Sequence, residues 1–462
     1  MDFTFLFFLH SRWKQQLTAS SSDLLSRFLV KVPAMLSLRC IAAVAVFCCL
    51  CGCYGQSDVE ELARAVTRFS KKQIQSWVQK DNWYYSLSPL SSHITISFLH
   101  YASVGDTRQR LGHALEVETI TDPHEIYHDF LQELNSSSCL SVFNRMWTNP
   151  SFYMYPMFLN GMLSFFSAPS MNFIMGVDTQ HWIDQWLYKL TNHTLEHLIR
   201  ERDITLSTNQ ASVNVLMLNT TWSTPFLPED TVEGNFTVEK NYIVVPAYFM
   251  RRLGFFQTKD LGFAKVVRFP LKNPRFSFYI VTSADMPKLE HTIAREDFDL
   301  SSLFDNMTTS YVDLSLPRLN ITVSVDLQDD LDYMNCSSIY RGNAQFFRMT
   351  DVGVWVGKTI TVYSITVDES GLVVMSASSA ITGYGMNDAE PTPATNTPAS
   401  NTPATKTPES NTPATNTPVA GSTTPTTYTT DSPFLYFVAD DKYKMILFQG
   451  KVRKVHEHYP FV

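Results

Sequence analysis

The chain has 462 residues, 44% hydrophobic and 17% charged, a balance that supports a sizeable buried core and excludes a wholly disordered polymer. A formal net charge of -8, with no basic run beyond the N-terminal segment, excludes the electrostatic footprint of a nucleic-acid binder. Five of the seven cysteines crowd into Cys40, Cys48, Cys49, Cys51 and Cys53, leaving only Cys139 and Cys336 downstream, which excludes a disulfide scaffold.

Residues 1–34, which carry Arg12, Lys14, Arg27 and Lys31, read as an uncertain leader extension. Residues 35–55 have the layout of a signal peptide: Arg39, an apolar stretch from Ile41 to Cys51, and small residues before Gln56. That stretch is too short to span a bilayer, so a soluble mature chain starting near Gln56 is expected. The cysteine cluster within it has apolar neighbours and neither histidine nor carboxylate, so it is not read as a metal site.

Next in order, Val59 to Lys80 reads as an amphipathic helix, with Leu62, Ala65, Val66, Phe69, Ile74 and Trp77 near helical spacing. Ser88-Pro89-Leu90-Ser91 starts a second, because serine caps and proline presets the first turn. His193 and His197 stand four apart without companion ligands; they read as a solvated helix face, and no metal or cofactor is expected. From Gln210 the pattern turns to short strands: Val213 to Leu218, Phe276 to Thr282 and Thr359 to Val367. The class is therefore α+β. Sequons at Asn135, Asn192, Asn219, Asn235, Asn306, Asn320 and Asn335 support a secreted, extracellular glycoprotein, one or two of them expected to be buried and unused.

Residues 388–431 break the pattern. Thr-Pro recurs every five residues at Thr392, Thr397, Thr402, Thr407, Thr412 and Thr417. Proline removes backbone donors, and the segment has almost no apolar surface to offset ordering entropy, so it reads as a mucin-like, O-glycosylated insertion or a plain linker. Strand pattern resumes at Ser432 to Val438 and Met445 to Val452, a terminal hairpin. Residues 56–387 and 432–462 thus belong to one domain that the repeat interrupts.

Several motifs in this order resemble those of the serpin family. Asn214-Val215-Leu216-Met217-Leu218 through Trp222-Ser223-Thr224-Pro225-Phe226 is similar to the serpin strand bearing a shutter asparagine, a core tryptophan and a phenylalanine. Ser88-Pro89-Leu90-Ser91 resembles the start of the helix beneath that shutter. Val244-Val245-Pro246, Leu314 to Leu319, Asp368-Glu369-Ser370-Gly371, Pro433-Phe434 and Phe448-Gln449-Gly450-Lys451 follow in family order. The resemblance covers roughly Val59 to Val452 apart from the insertion. It implies three β-sheets, about nine helices and an exposed reactive loop after the Asp-Glu-x-Gly hinge.

It also implies a suicide-substrate mechanism: a serine protease cuts the loop, stays attached as an acyl-enzyme, and is distorted when the cut loop inserts into the central sheet. No catalytic group of the inhibitor takes part, and no G-x-S-x-G or H-E-x-x-H pattern is present. The segment Gly371 to Met386 has neither proline nor charge, so it can become a buried strand. Strand alternation sends Leu372, Val374, Ser376, Ser378 and Ala380 to one face and Val373, Met375, Ala377 and Ser379 to the other.

Two departures from the family pattern stand out: Leu372 to Met375 are bulky where small residues are usual, and Thr361 occupies the place of the shutter histidine. The expected hinge is Asp368, Glu369, Gly371, Leu372 and Val374; the shutter is Ser88, Ser91, Asn214 and Thr361. A productive cut is expected beside Tyr384, Gly385 or Met386, since about 15 residues at ~3.3 Å each carry a protease ~50 Å along the sheet. The partner is then an extracellular serine protease, chymotrypsin-like if Tyr384 is read, acting on a monomer. The alternative is a non-inhibitory serpin serving as a binding or carrier module.

Overall fold

The computed structural model describes residues 38–80, 86–173, 179–195, 197–200, 203–238, 243–384 and 425–458, with side chains from Asp58 to His456. The chain divides into two units, Met1–Ser57 and Asp58–Val462, and both sheets belong to the second. The expected leader, Gly385, Met386 and the Thr-Pro repeat lie outside the described residues or side chains.

Helix α1 (Leu38–Gln79) buries the apolar stripe read from the sequence, with Leu62, Ala65, Val66 and Phe69 fully enclosed. A two-residue strand β1 (Ser86–Leu87) leads into α2 (Pro89–Ala102). Ser88 caps α2: its Oγ accepts from the Ser91 amide at 3.0 Å and donates to the Leu447 carbonyl at 2.6 Å. Every residue of α2 is buried, so this helix is a central pillar. Beside it lie α3 (Gly105–Ala114), α4 (Pro123–Asn135), β2 (Leu140–Thr148), α5 (Pro156–Phe166), β3 (Ser170–Asn172) and α6 (Thr179–Leu190). His193 and His197 follow α6 with φ of 66° and 54°, in turn geometry and not on the expected helix face. His193 packs on Tyr188, and His197 lies 3.5 Å from Asp184.

The rest of the chain supplies β4 (Thr208–Thr221), β5 (Val232–Thr237), β6 (Val244–Asp260), β7 (Lys265–Pro270), β8 (Phe276–Thr282), α7 (Met286–Ala294), β9 (Thr308–Pro317), β10 (Leu319–Asp326) and α8 (Gln328–Tyr333). It closes with β11 (Trp355–Val367), β12 (Gly371–Gly383), β13 (Thr426–Thr429), β14 (Phe434–Asp440), β15 (Met445–Val452) and β16 (His456–His458). The expected terminal hairpin is β14 with β15.

These strands form a seven-stranded sheet in the order β16-β10-β11-β12-β4-β2-β3 and a nine-stranded array, β1-β15-β14-β8-β7-β6-β9-β13 with β5 on β6. The second and third sheets implied by the resemblance are continuous here because β6 is 17 residues long: Val244 to Phe249 pair with β5, and Gln257 to Asp260 pair with β7. Between the sheets and α2 lies one large core containing Phe98, Tyr363, Leu372, Val374, Tyr436 and Phe448.

One expectation is overturned. The segment after the hinge, expected as an exposed loop, is β12, the middle strand of the seven, antiparallel to β11 and to β4. In that place its backbone groups meet a ladder on both sides, and its uncharged side chains enter the core without desolvating an ion.

Candidate functional site

The site is β12 and what receives it. At its start, Asp368 closes a tight turn: its Oδ1 accepts from the Ser370 amide at 2.8 Å, the Ser370 hydroxyl at 2.6 Å and the Gly371 amide at 3.1 Å. The turn is tied to the segment after β4, since the Trp222 indole donates to the Asp368 carbonyl at 2.8 Å and the Phe226 amide to that of Glu369 at 2.9 Å. Trp222 is held among Phe226, Phe269 and Phe278, with ring centroids about 6 Å apart.

Glu369 receives Arg318 Nη2 at 2.6 Å and Nε at 2.8 Å, and the Thr231 hydroxyl at 2.5 Å. Burial alone would raise this carboxyl; Arg318 and Thr231 overcome it and hold the group below its ordinary range. Gly371 has a different constraint. A Cβ there would stand 2.1 Å from the Thr220 carbonyl oxygen and 2.5 Å from the Thr221 Cα, both backbone atoms of β4. Only glycine lets β12 enter its ladder at that point.

Beyond the hinge the alternation read from the sequence holds. Leu372, Val374 and Ala380 join the large core, whereas Met375, Ala377 and Ile381 face a second cluster with Val213, Val215, Ile360 and Val362, against which Val373 also packs. The bulky run is accommodated: Leu372 and Val374 are fully buried.

Midway along β12, register places Thr361, Ser378, Asn214 and Asn144 side by side on four successive strands. The Ser378 hydroxyl lies 2.8 Å from Thr361 Oγ1 and 2.9 Å from Ser91 Oγ on α2. Thr361 Oγ1 also reaches the Ala377 carbonyl and Ser376 Oγ, each at 3.2 Å. Ser88, Ser91 and Thr361 are thus brought to one place, and β12 itself contributes the central hydroxyl. At position 361, where the resemblance implied a histidine, the threonine hydroxyl meets Ser378 of β12.

Asn214 turns to the other neighbour, donating its Nδ2 to Asn144 Oδ1 at 2.7 Å, while Asn144 donates to the Phe166 carbonyl at 2.6 Å. Asn214 Oδ1 is buried and has no partner among the described residues. Ser378 and Asn144 were missed from the sequence; the parity of β12 carried the signal for Ser378, and nothing local carried it for Asn144, 70 residues from its partner. Beneath the row, His93 links Tyr127 and the Leu115 carbonyl, and burial pushes its imidazole down to about 4.

Asn214 is fully enclosed, and Asn219, five positions along the same strand, is exposed. Asn214→Ala leaves a buried acceptor on Asn144 unpaired, at a cost of about 1–3 kcal/mol, and is expected to lower the unfolding temperature by several degrees. Asn219→Ala should change it by less than a degree or so. Paired thermal unfolding curves check both, and equal shifts would refute the assignment of faces.

At the far end of β12, the Tyr384 amide donates to the Ser207 carbonyl at 2.9 Å. Its ring is 55% exposed and lies 6.4 Å from that of Trp355. All seven sequon asparagines are exposed, which corrects the expectation that one or two would be buried: each falls at a turn, a helix end or the solvent face of a strand. The Asn135 side chain is nevertheless engaged with the Val142 backbone. Cys139 and Cys336 are both free thiols. No helix among the described residues is long and apolar enough to cross a membrane.

A two-sheet α+β fold whose post-hinge segment forms the middle strand of its seven-stranded sheet defines the class. A family model described as serpin (serine protease inhibitor) matches residues 63–455, and the chain belongs to the serpin family. The family is described by protease inhibition, its members are mostly inhibitory, and they are not catalytic enzymes. Human Serpin B3 is 24% identical over 85% of this chain and 99% of its own length. The leukocyte elastase inhibitor of the pig is 21% identical over 71% of this chain and 91% of its own. Among solved structures, a cleaved serpin (Serpin 42Da) superposes with a TM-score of 0.73 at 20% identity, covering 86% of this chain and 99% of that one. A loop-inserted structure of a cleaved ovalbumin mutant gives 0.70 at 14% identity, covering 85% of this chain and all of that one.

Proposed function

We propose that the chain is a secreted suicide-substrate inhibitor of an extracellular serine endopeptidase. The observation that carries this reading is β12: 13 residues that lie between two strands with no buried charge and with hydroxyls matched to Thr361 and Ser91. Protease attack beside Tyr384 would leave the enzyme esterified to the new C-terminus, and insertion of 13 residues would carry it about 40 Å along the sheet. The exposed aromatic ring of Tyr384 favours a chymotrypsin-like pocket. The signal-like segment and the exposed sequons support secretion.

Incubation with a panel of serine proteases should give an SDS-stable covalent complex, and mass spectrometry of the released C-terminal fragment should place its start at Gly385, Met386 or Asn387. A stable complex formed through a residue beyond Pro391 would defeat this placement of the cut. The bulky run Leu372 to Met375 favours a second reading, a non-inhibitory binding or carrier module, since wide side chains slow insertion relative to hydrolysis of the ester. Cleavage by every protease tested, with no complex from any, would establish it.

A further inference from the structure

We propose that Asp330 is a proton-dependent fastener between α1 and α8. With a neutral carboxyl it completes a sealed set of hydrogen bonds that joins the two helices; with a charged one it loosens them. This part of the fold is then held more tightly in mildly acidic medium than in alkaline, whether or not the chain is an inhibitor.

Asp330 is buried on α8, in sequence between Leu327 and Leu331, both fully enclosed. Leu327 packs in one cluster with Ile74 and Trp77 of α1, and Leu331 enters the large core, so the carboxyl stands where α1 meets α8. From α1 it is faced by Gln73 and Ser76, both fully enclosed. Gln73 Nε2 donates to Asp330 Oδ2 at 3.2 Å. Gln73 Oε1 and Ser76 Oγ have no hydrogen-bond partner among the described residues. A charged carboxyl offers acceptors only, and sets its own oxygens beside an amide oxygen that lacks a donor. A neutral one supplies the missing O–H. Carboxyl and amide then exchange two hydrogen bonds, Nε2–H to one carboxyl oxygen and the other oxygen's O–H to Gln73 Oε1, which leaves the Ser76 hydroxyl free to donate as well.

Asp330 has no ion-pair partner among the described residues, and the cations around it are engaged elsewhere. Lys80 on α1 pairs with Asp329 at 2.8 Å, and Lys72 with Glu116. Lys358 on β11 pairs with Asp326 of β10, and Arg110 on α3 with Asp106 at 2.7 Å. In the turn Ser337–Tyr340 the Tyr340 hydroxyl meets Thr359 Oγ1 at 2.5 Å; Arg341 just beyond it and Asp332 on α8 are exposed. Burial therefore dominates and pushes the Asp330 carboxyl up to about 7, with Ser76, Gln73 and Lys80 pulling it back only in part. In the unfolded chain an aspartate titrates near ~3.9. Between those values the folded chain keeps a proton that the unfolded chain has lost, so stability falls as pH rises from about 4 to about 7 and is constant above. The Leu327 amide donates to the Thr359 carbonyl at 3.0 Å, so freedom gained by α8 is felt at β11, the strand beside β12.

Hydrogen exchange of the full chain at pH 5.5 and pH 8 tests this without any substitution. The amides of Leu331, Met334 and Cys336 bond to carbonyls in and beside α8. Corrected for intrinsic exchange rates, their protection should be about tenfold or more lower at the higher pH. Asp330→Asn, neutral at every pH and able to give its amide N–H to Gln73 Oε1, should abolish that loss. In guanidinium unfolding, its folding equilibrium constant should rise relative to wild type by up to about tenfold per pH unit between pH 5 and pH 7, and no further above about pH 7.5. Gln73→Leu, which removes a donor to the charged carboxyl, should carry the wild-type loss to higher pH. Equal protection of the wild-type amides at both pH values, or a gap between wild type and Asp330→Asn that does not vary with pH, would overturn the proposal.

Discussion

Gly371→Val is expected to be the most damaging single substitution in the hinge, and to act on the inserted state alone. Its Cβ would fall 2.1 Å from a backbone oxygen and 2.5 Å from a backbone Cα of β4, positions that rotamer changes cannot relieve. Either β12 lifts away from Thr220 and Thr221, losing the first rungs of its ladder, or the clash remains, at a cost on the order of 3 kcal/mol. In the loop-out state Gly371 has no such neighbour requirement. Loop-cleaved protein carrying the substitution should unfold at a lower guanidinium concentration than loop-cleaved wild type, and protease should cut the variant while forming little covalent complex. Gly371→Ala should do the same to a smaller degree. An unchanged midpoint and an undiminished complex would show that the hinge can be displaced from β4 without cost.

Much of this arrangement is legible in the amino-acid order because it is local. The stripe through Leu62, Phe69 and Trp77 forecasts α1, the Ser88-Pro89 pair its neighbour α2, and the run Phe276 to Thr282 has the bounds of β8. The two faces of β12 follow from its period of two alone. The separation of Asn214 and Asn219 by an odd number of positions likewise sends one inward and the other out. Cross-strand register is not local: that Asn144 faces Asn214, or Ser378 faces Thr361, depends on which strands become neighbours. The merging of two sheets is also hidden, since it follows from the length of β6 and not from its pattern.

The state of the post-hinge segment is illegible for a deeper reason. A stretch without charge or proline satisfies a solvated loop and a buried strand equally, so the choice is made by competition between whole packings and not by local propensity. Permission can be read: no residue from Gly371 to Gly383 forbids burial. The partner set, the Thr361 and Ser91 hydroxyls that make burial of Ser378 favourable, is set by register and cannot. Thr361 illustrates the limit of resemblance: the sequence marks a departure there, but only register shows that the threonine meets Ser378 on β12.

Ser378→Asp turns that dependence into a pH-sensitive test. The position is fully buried, midway along β12, with hydroxyls on both sides and no cation in contact among the described residues. A carboxylate there loses its hydration and gains only two hydroxyl donors, a penalty of several kcal/mol against insertion at neutral pH. In the loop-out state the same carboxyl is solvated and titrates near 4. Burial raises its value in the inserted state, so protonation favours insertion. The penalty is therefore small below about pH 4, grows as pH rises toward the raised value, and is constant above it. Loop-cleaved Ser378→Asp should consequently unfold at a much lower guanidinium concentration than cleaved wild type at pH 8, with the gap narrowing toward pH 4.5. Ser378→Ala, which removes the hydroxyl without adding charge, should show a smaller gap that does not vary with pH. A pH-independent gap for the aspartate would mean that water follows the side chain into the sheet and that the row around Thr361 is not sealed.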